Sequence, residues 1–177
     1  MEIGDVGGLP GAAAGFVVHD ANNGGNNILF HNQISGEGGW RFVDVTKKCG
    51  LDTNNHRHSL AAAWDDFDND GDQDLYVAND YGRDNLYRND ASTSGDQVVR
   101  KLVDISNAAH VEDSATGMSI TWADYNRDGW MDAFVSNMWS SAGNRIAFQD
   151  KFRQKASPET KRRIQRLARG NTLLQNQ

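Results

Sequence analysis

Short apolar runs alternate along this chain with clusters of Asp, Asn and Gly. The runs "LYVAN" (Leu75–Asn79), "AFVSN" (Ala133–Asn137) and "KLVDI" (Lys101–Ile105) are rich in β-branched and aromatic residues, and the clusters between them favour turns. In the best-defined stretch this pattern predicts four strands, roughly at Ser59–Trp64, Leu75–Ala78, Asn85–Arg88 and Val99–Ile105. A helical period is missing from these segments. After Lys151 it returns: "SPETKRRIQRLARG" offers Ser157 as an N-cap, Pro158 at the first helical position and Gly170 as a stop. Ile164 and Leu167 give that helix a narrow apolar stripe, leaving Arg162, Arg163, Arg166 and Arg169 mostly solvated. Two readings stand for it: an insertion between two strands, or a basic docking surface.

The pattern repeats. "SLAAAWDDFDNDGDQDLYVAN" (Ser59–Asn79) lies over "MSITWADYNRDGWMDAFVSN" (Met118–Asn137) at a constant shift of 58 residues, so that Trp64 meets Trp122 and Asp66 meets Asp124. "FVDVTKKCGL" (Phe42–Leu51) echoes "LVDISNAAHV" (Leu102–Val111), and "NILFHNQ", "NLYRND" and "NTLLQNQ" echo one another at 27–33, 85–90 and 171–177. Four short strands in each such unit is the pattern of a propeller blade. The expected fold is therefore all-β: a β-propeller fragment of about three four-stranded blades, with a short α-helical insertion near the C-terminus. Its expected divisions are a degenerate first repeat at 1–52, a repeat at 53–111 holding the loop 66–74, a repeat at 112–150 holding the loop 124–132, the basic helical insertion at 151–170, and a further strand beginning at 171–177.

The acidic loops carry the chemistry. In "DFDNDGDQD" the side chains of Asp66, Asp68, Asp70 and Asp74 fall at loop positions 1, 3, 5 and 9, and Gly71 at position 6 turns the backbone so that the carbonyl of Asp72 points to the same centre. Four converging carboxylates repel one another unless a cation sits among them. Calcium suits this, because it takes about six to eight oxygen ligands in flexible geometry. Magnesium asks for tighter octahedral geometry, and zinc for His or Cys ligands that the loop lacks. The second loop offers Asp124, Asn126, Asp128, the Trp130 carbonyl and Asp132. With an amide in place of one carboxylate, it should bind calcium more weakly than the first. An EF-hand would need an acid at position 12, which here is Val77 or Val135 inside a strand run.

These residues resemble a known family. "DFDNDGDQDLYVAND" and "DYNRDGWMDAFVSN" look like the calcium loops of FG-GAP/VCBS repeats, the blades of the integrin α-subunit propeller. The run "NILFHNQ…GWRFVDVTKKCGL" followed by an acidic loop is similar to the ASPIC/UnbV group, the branch related to cartilage acidic protein. The resemblance implies two calcium sites in a propeller of about seven blades, in a secreted, surface or periplasmic protein. There calcium braces the blade turns and the propeller loops bind an unidentified protein or glycan. The literal Phe-Gly and Gly-Ala-Pro signatures are absent, and "GDVGGLPGAAAGFVVHD" stands where another loop would be but lacks its acids. A closed propeller needs about four to eight blades, so the rest are expected from a longer chain or from another chain that completes it.

Composition narrows the function further. Residues 151–177 hold eight Lys or Arg and one acid, Glu159, leaving 10 basic and 23 acidic residues of the chain's 18 and 24 elsewhere. That acidic majority argues against nucleic-acid binding. No apolar run approaches the roughly 20 residues of a membrane helix, and the apolar stretch 11–18 lacks the basic start of a signal peptide. The single cysteine, Cys49, cannot form a disulfide within the chain. No nucleophile elbow, phosphate loop or dinucleotide motif occurs. His56 and His58 could face one way from a strand as a metal pair, although such pairs are more often plain surface. Trp64 and Trp122, at equivalent positions, are expected in the core. The leading expectation is a non-catalytic binding or adhesion scaffold. The alternative is the calcium-stabilised propeller of a carbohydrate-active enzyme, of the polysaccharide lyase type.

Overall fold

Strand β3 (Ser59–Asp65) and strand β4 (Asp74–Asn79) flank the first acidic loop, and two more antiparallel strands, β5 (Asn85–Ser94) and β6 (Gln97–Asp104), complete a four-stranded sheet in the order β3-β4-β5-β6. Before it lies a two-stranded sheet, β1 (Phe30–Ile34) with β2 (Trp40–Asp44). After it comes a three-stranded sheet, β7-β8-β9, from Gly117–Ala123, Asp132–Asn137 and Thr172–Leu174. This computed structural model describes residues 20–34, 39–94 and 97–177. All of the opening segment "GDVGGLPGAAAGFVVHD" except Asp20 lies outside them.

The chain is thus mostly β, with three antiparallel sheets and two short helices. Its described sheets have two, four and three strands rather than four each. The strands equivalent by sequence are equivalent in place. Asp44 accepts from the Thr46 amide and hydroxyl while Thr46 Oγ1 accepts from the Leu29 amide; Asp104 does the same with Ser106, whose Oγ accepts from the Leu86 amide. The β3–β4 and β7–β8 ladders even share an irregularity, at Ser59/Ala61 and at Gly117/Ser119. Gly117 has a packing reason: a Cβ there would stand 3.1 Å from both the Ala78 Cβ and the Asn79 amide of the preceding sheet.

Alternation along β4 sends successive side chains to opposite faces, so that one strand feeds two cores. Leu75 and Val77 join Tyr87, Leu102 and Leu51 on one side; Tyr76 and Ala78 join Leu86 and Val135 on the other. Trp122 closes the second core, stacked on Phe67 at 6.4 Å between ring centres and edge-on to Tyr76 at 6.1 Å. Its Nε1 donates to the Ala63 carbonyl of β3 at 3.4 Å. Trp64 departs from the sequence expectation: it is 42% exposed, because no described sheet packs on its face as the β3-β4-β5-β6 sheet packs on Trp122.

Strands β5 and β6 also run further than their apolar cores. Paired residues continue past Asn89↔Leu102 to Ser94↔Gln97, whereas β4 pairs β5 only over Leu75–Val77. The outer part of β5 is polar and exposed at Ala91–Thr93, so it left no apolar run to read.

The helix expected after Lys151 is α2 (Pro158–Leu167), with the Ser157 side chain accepting from the Thr160 amide. A second helix, α1 (Ser141–Ala147), is capped by Ser140. At seven residues, with Gly143 inside, it was too short to show a period. Both helices lie in the link 138–171 between β8 and β9, where the β4–β5 link needs only residues 80–84. The same hydrogen bonds close both links: Asn79 N donates to Asp84 Oδ1 at 2.8 Å, and Asn137 N to Asn171 Oδ1 at 3.0 Å.

Candidate metal centre

The two acidic loops have one backbone. Gly71 and Gly129 sit at φ of 93° and 90°, and Asn69 and Arg127, two residues earlier, are also left-handed at 57° and 63°. Glycine takes this conformation without a Cβ penalty, which is why position 6 of each loop is Gly. The turn gathers amides onto the first aspartate. Asp66 Oδ1 and Oδ2 accept from the amides of Asp70 and Gly71 at 3.1 and 3.0 Å; Asp124 accepts from Asp128 and Gly129, both at 3.0 Å. Position 5 accepts from position 7 in both, Asp72 to Asp70 at 3.0 Å and Trp130 to Asp128 at 2.9 Å.

Position 9 anchors each loop to its sheet. Asp74, 1% exposed, accepts from the amides of Phe67 and Asn89 at 3.2 and 2.8 Å. Asp132, also 1% exposed, accepts from Tyr125 and Asn176 at the same two distances. Asn89 and Asn176 are site residues that the motif alone misses. Both act through the backbone amide, which leaves no side-chain signature, and the echo of "NLYRND" in "NTLLQNQ", aligned at the leading Asn, sets Asn89 against Gln175 rather than Asn176.

The loops differ in their centres. Carboxylate oxygens of Asp66, Asp68 and Asp74 lie within 4.8 Å of one another, which is the spacing of ligands around one cation. Burial pushes the Asp74 carboxyl up to about 6, and the charges of Asp68 and Asp70 add to the rise against the two amide hydrogen bonds. Burial first, then Asp70 and Asp66, also raises Asp68. Asp68 Oδ1 is buried and accepts no hydrogen bond. The Asp70 carboxylate is not in this group, and the Asp72 side chain turns aside to pair with Arg100.

In the second loop, Asn126 takes the place of Asp68. Its Nδ2 donates to Asp128 Oδ2 at 2.7 Å, so an internal hydrogen bond stands where the first loop has repulsion. Asp124, Asp128 and Asp132 form no such three-oxygen group among the described residues. The two loops touch, through Asn69 Nδ2 donating to the Gly129 carbonyl at 3.2 Å.

The FG-GAP-like repeat family matches residues 66–135, from the first aspartate of one loop through the strand that follows the other. That stretch is an FG-GAP-like repeat. Cartilage acidic protein 1 of Homo sapiens is 34% identical over 127 residues, covering 71% of this chain and 18% of that protein. Cartilage acidic protein 1 of Mus musculus is 33% identical over 127 residues, with the same shares. The chain thus spans less than a fifth of the length of these curated relatives.

Within the FG-GAP-like repeat lie both loops and the β4-β5-β6 hairpins between them. Outside it, His56 Nδ1 is 2.5 Å from Asn26 Oδ1 and His58 Nε2 is 3.3 Å from Asn23 Oδ1, so the two imidazoles engage different partners and enter no metal-binding group among the described residues. No helix among the described residues is long and apolar enough to cross a membrane.

Proposed function

We propose that this chain is a calcium-binding segment of a secreted or surface β-propeller that acts as a non-catalytic binding or adhesion scaffold. One observation supports the cation most: three carboxylates within 4.8 Å of one another, one with a buried oxygen that no donor reaches. Such a cluster is costly when empty, and a hard divalent cation removes both the repulsion and the missing partner. Asp66, Asp68, Asp70 and Asp74 with the Asp72 carbonyl form the first proposed site. Asp124, Asn126, Asp128 and Asp132 with the Trp130 carbonyl form the second and weaker one.

Equivalent loops at one end of successive sheets, each tied to the next strand of its own sheet by its position-9 aspartate, fit cations that brace the blade turns. The divisions at 1–52, 53–111, 112–150, 151–170 and 171–177 follow as partial and whole blades with an insertion, completed by the rest of a longer chain. The extracellular setting rests on the FG-GAP-like repeat. Calorimetric titration with calcium tests the assignment. Two events are expected, with Asp70→Ala removing the tighter and Asp128→Ala the weaker; no heat of binding at millimolar calcium would overturn it.

A further inference from the structure

A cleft of about 450 Å³ opens at the other end of β8 from the acidic loop, between α2 and the 105–116 connection from β6 to β7. The six residues of β8 separate the two sites by roughly 20 Å. Arg162, Arg166 and Arg169 line the cleft from α2 and its end, Phe148 from the turn after α1, and Asp113 and Ser114 from the connection.

The acids around this cleft are already paired. Asp113 holds Arg166 by a bidentate pair, with both contacts at 2.8 Å. Glu112 pairs with Arg83 at 2.7 Å; Arg163 pairs with Glu159 at 2.7 Å and with Asp20. The Arg162 and Arg169 guanidinium groups are exposed and bond to no described residue, and the Ser114 hydroxyl also has no partner among the described residues. Phe148, 49% exposed, adds a flat apolar surface. Two uncompensated guanidinium forks, an unengaged hydroxyl and an open ring describe a ligand with three properties. It has a planar oxyanion for the forks, hydroxyls for Ser114, and a ring with an apolar face for Phe148. The volume suits one small molecule or one unit of a polymer.

We propose that this cleft binds a carboxylated sugar unit, with Arg162 and Arg169 holding the carboxylate, Ser114 bonding a ring hydroxyl and Phe148 packing on the ring. This gives the binding-scaffold reading a ligand class, but it makes no use of the cation loops.

The test is an NMR titration of the protein with glucuronate, glucose and sulfate in about 0.15 M salt, where loose charge attraction is screened. Glucuronate should shift the amides of Ser114, Phe148 and Arg169 saturably, and more tightly than glucose or sulfate. Arg162→Gln and Arg169→Gln should each weaken it about tenfold, the size of one charge-assisted hydrogen bond. Lys155→Gln, an exposed residue outside the cleft, should change nothing. If Arg169→Gln loses the native spectrum, Arg162→Gln carries the test alone. No saturable shift, equal binding of glucose or sulfate, or binding unchanged in Arg162→Gln would overturn the assignment. Adding chelator separates the two readings, since cleft shifts that persist without calcium keep this site whatever becomes of the loops.

Discussion

The backbone amide of Asn89 donates to Asp74 Oδ1 at 2.8 Å, tying the first acidic loop to strand β5 through a carboxylate that is 1% exposed. Amide hydrogen bonds favour the ionised form, but here burial and neighbouring aspartates outweigh them and the carboxyl rises to about 6 from 3.8.

A pH dependence follows for the chelated protein. Between about pH 4 and 6 the folded chain holds a proton on Asp74 that the unfolded chain has released. Stability therefore falls as pH rises through that window, and is greater at about pH 5 than at about pH 7. Saturating calcium, which needs the ionised carboxylate, should remove this trend. Chelated melting midpoints at the two pH values check it; a lower midpoint at the acidic value would contradict it.

Position 3 should set the order in which the loops fill. Asp68→Asn copies the second loop and should weaken calcium at the first by about tenfold, while Asn126→Asp should strengthen the second by a similar factor, since ligand charge tunes such sites. Titration of both variants beside the parent reads the order. Unchanged affinities in both would show that the third ligand position does not matter.

Much of this was legible in sequence, for physical reasons that differ by element. Strands β3, β4, β7 and β8 were readable because Asp-rich loops bound them on one side, and β4 most clearly, because its apolar run faces two cores. The outer part of β5 was not, because Ala91–Thr93 pairs in solvent, where nothing selects apolar residues. Helix α1 was missed for want of length, and Trp64 was misplaced because its repeat position says which face it occupies but not what covers that face. At the loops, the ligand spacing was readable. The Asn89 and Asn176 amides were not, since a backbone donor leaves no side-chain signature of its own. Nor was the cleft under α2: its arginines read as a solvated stripe, whereas Asp113 engages Arg166, and Asp20 and Glu159 engage Arg163.

The two tryptophans give a contrast in packing. Trp122→Ala removes the contacts with Phe67 and Tyr76 and should cost about 2–4 kcal/mol in urea unfolding. Trp64→Ala, at a position 42% exposed, should cost less than about 1 kcal/mol. Equal losses would mean that the two faces are equally packed.

Ion pairs should divide in the same way. The Asp113 side chain is 2% exposed and holds Arg166, so Asp113→Ala should cost about 3–5 kcal/mol by leaving that guanidinium uncompensated. Asp90→Ala breaks the exposed pair with Arg88 and should cost about 0–1 kcal/mol. Urea unfolding of both variants measures the difference.

The most direct test of the central proposal is the melting midpoint with chelator and with calcium. An ion bound only by the folded state, at about a hundred times its dissociation constant, adds about 2.7 kcal/mol, or about 5–10 °C for a chain of this size. That rise is expected in the parent and should shrink in Asp66→Ala. A midpoint unchanged between chelator and millimolar calcium would contradict a cation at the Asp66 loop.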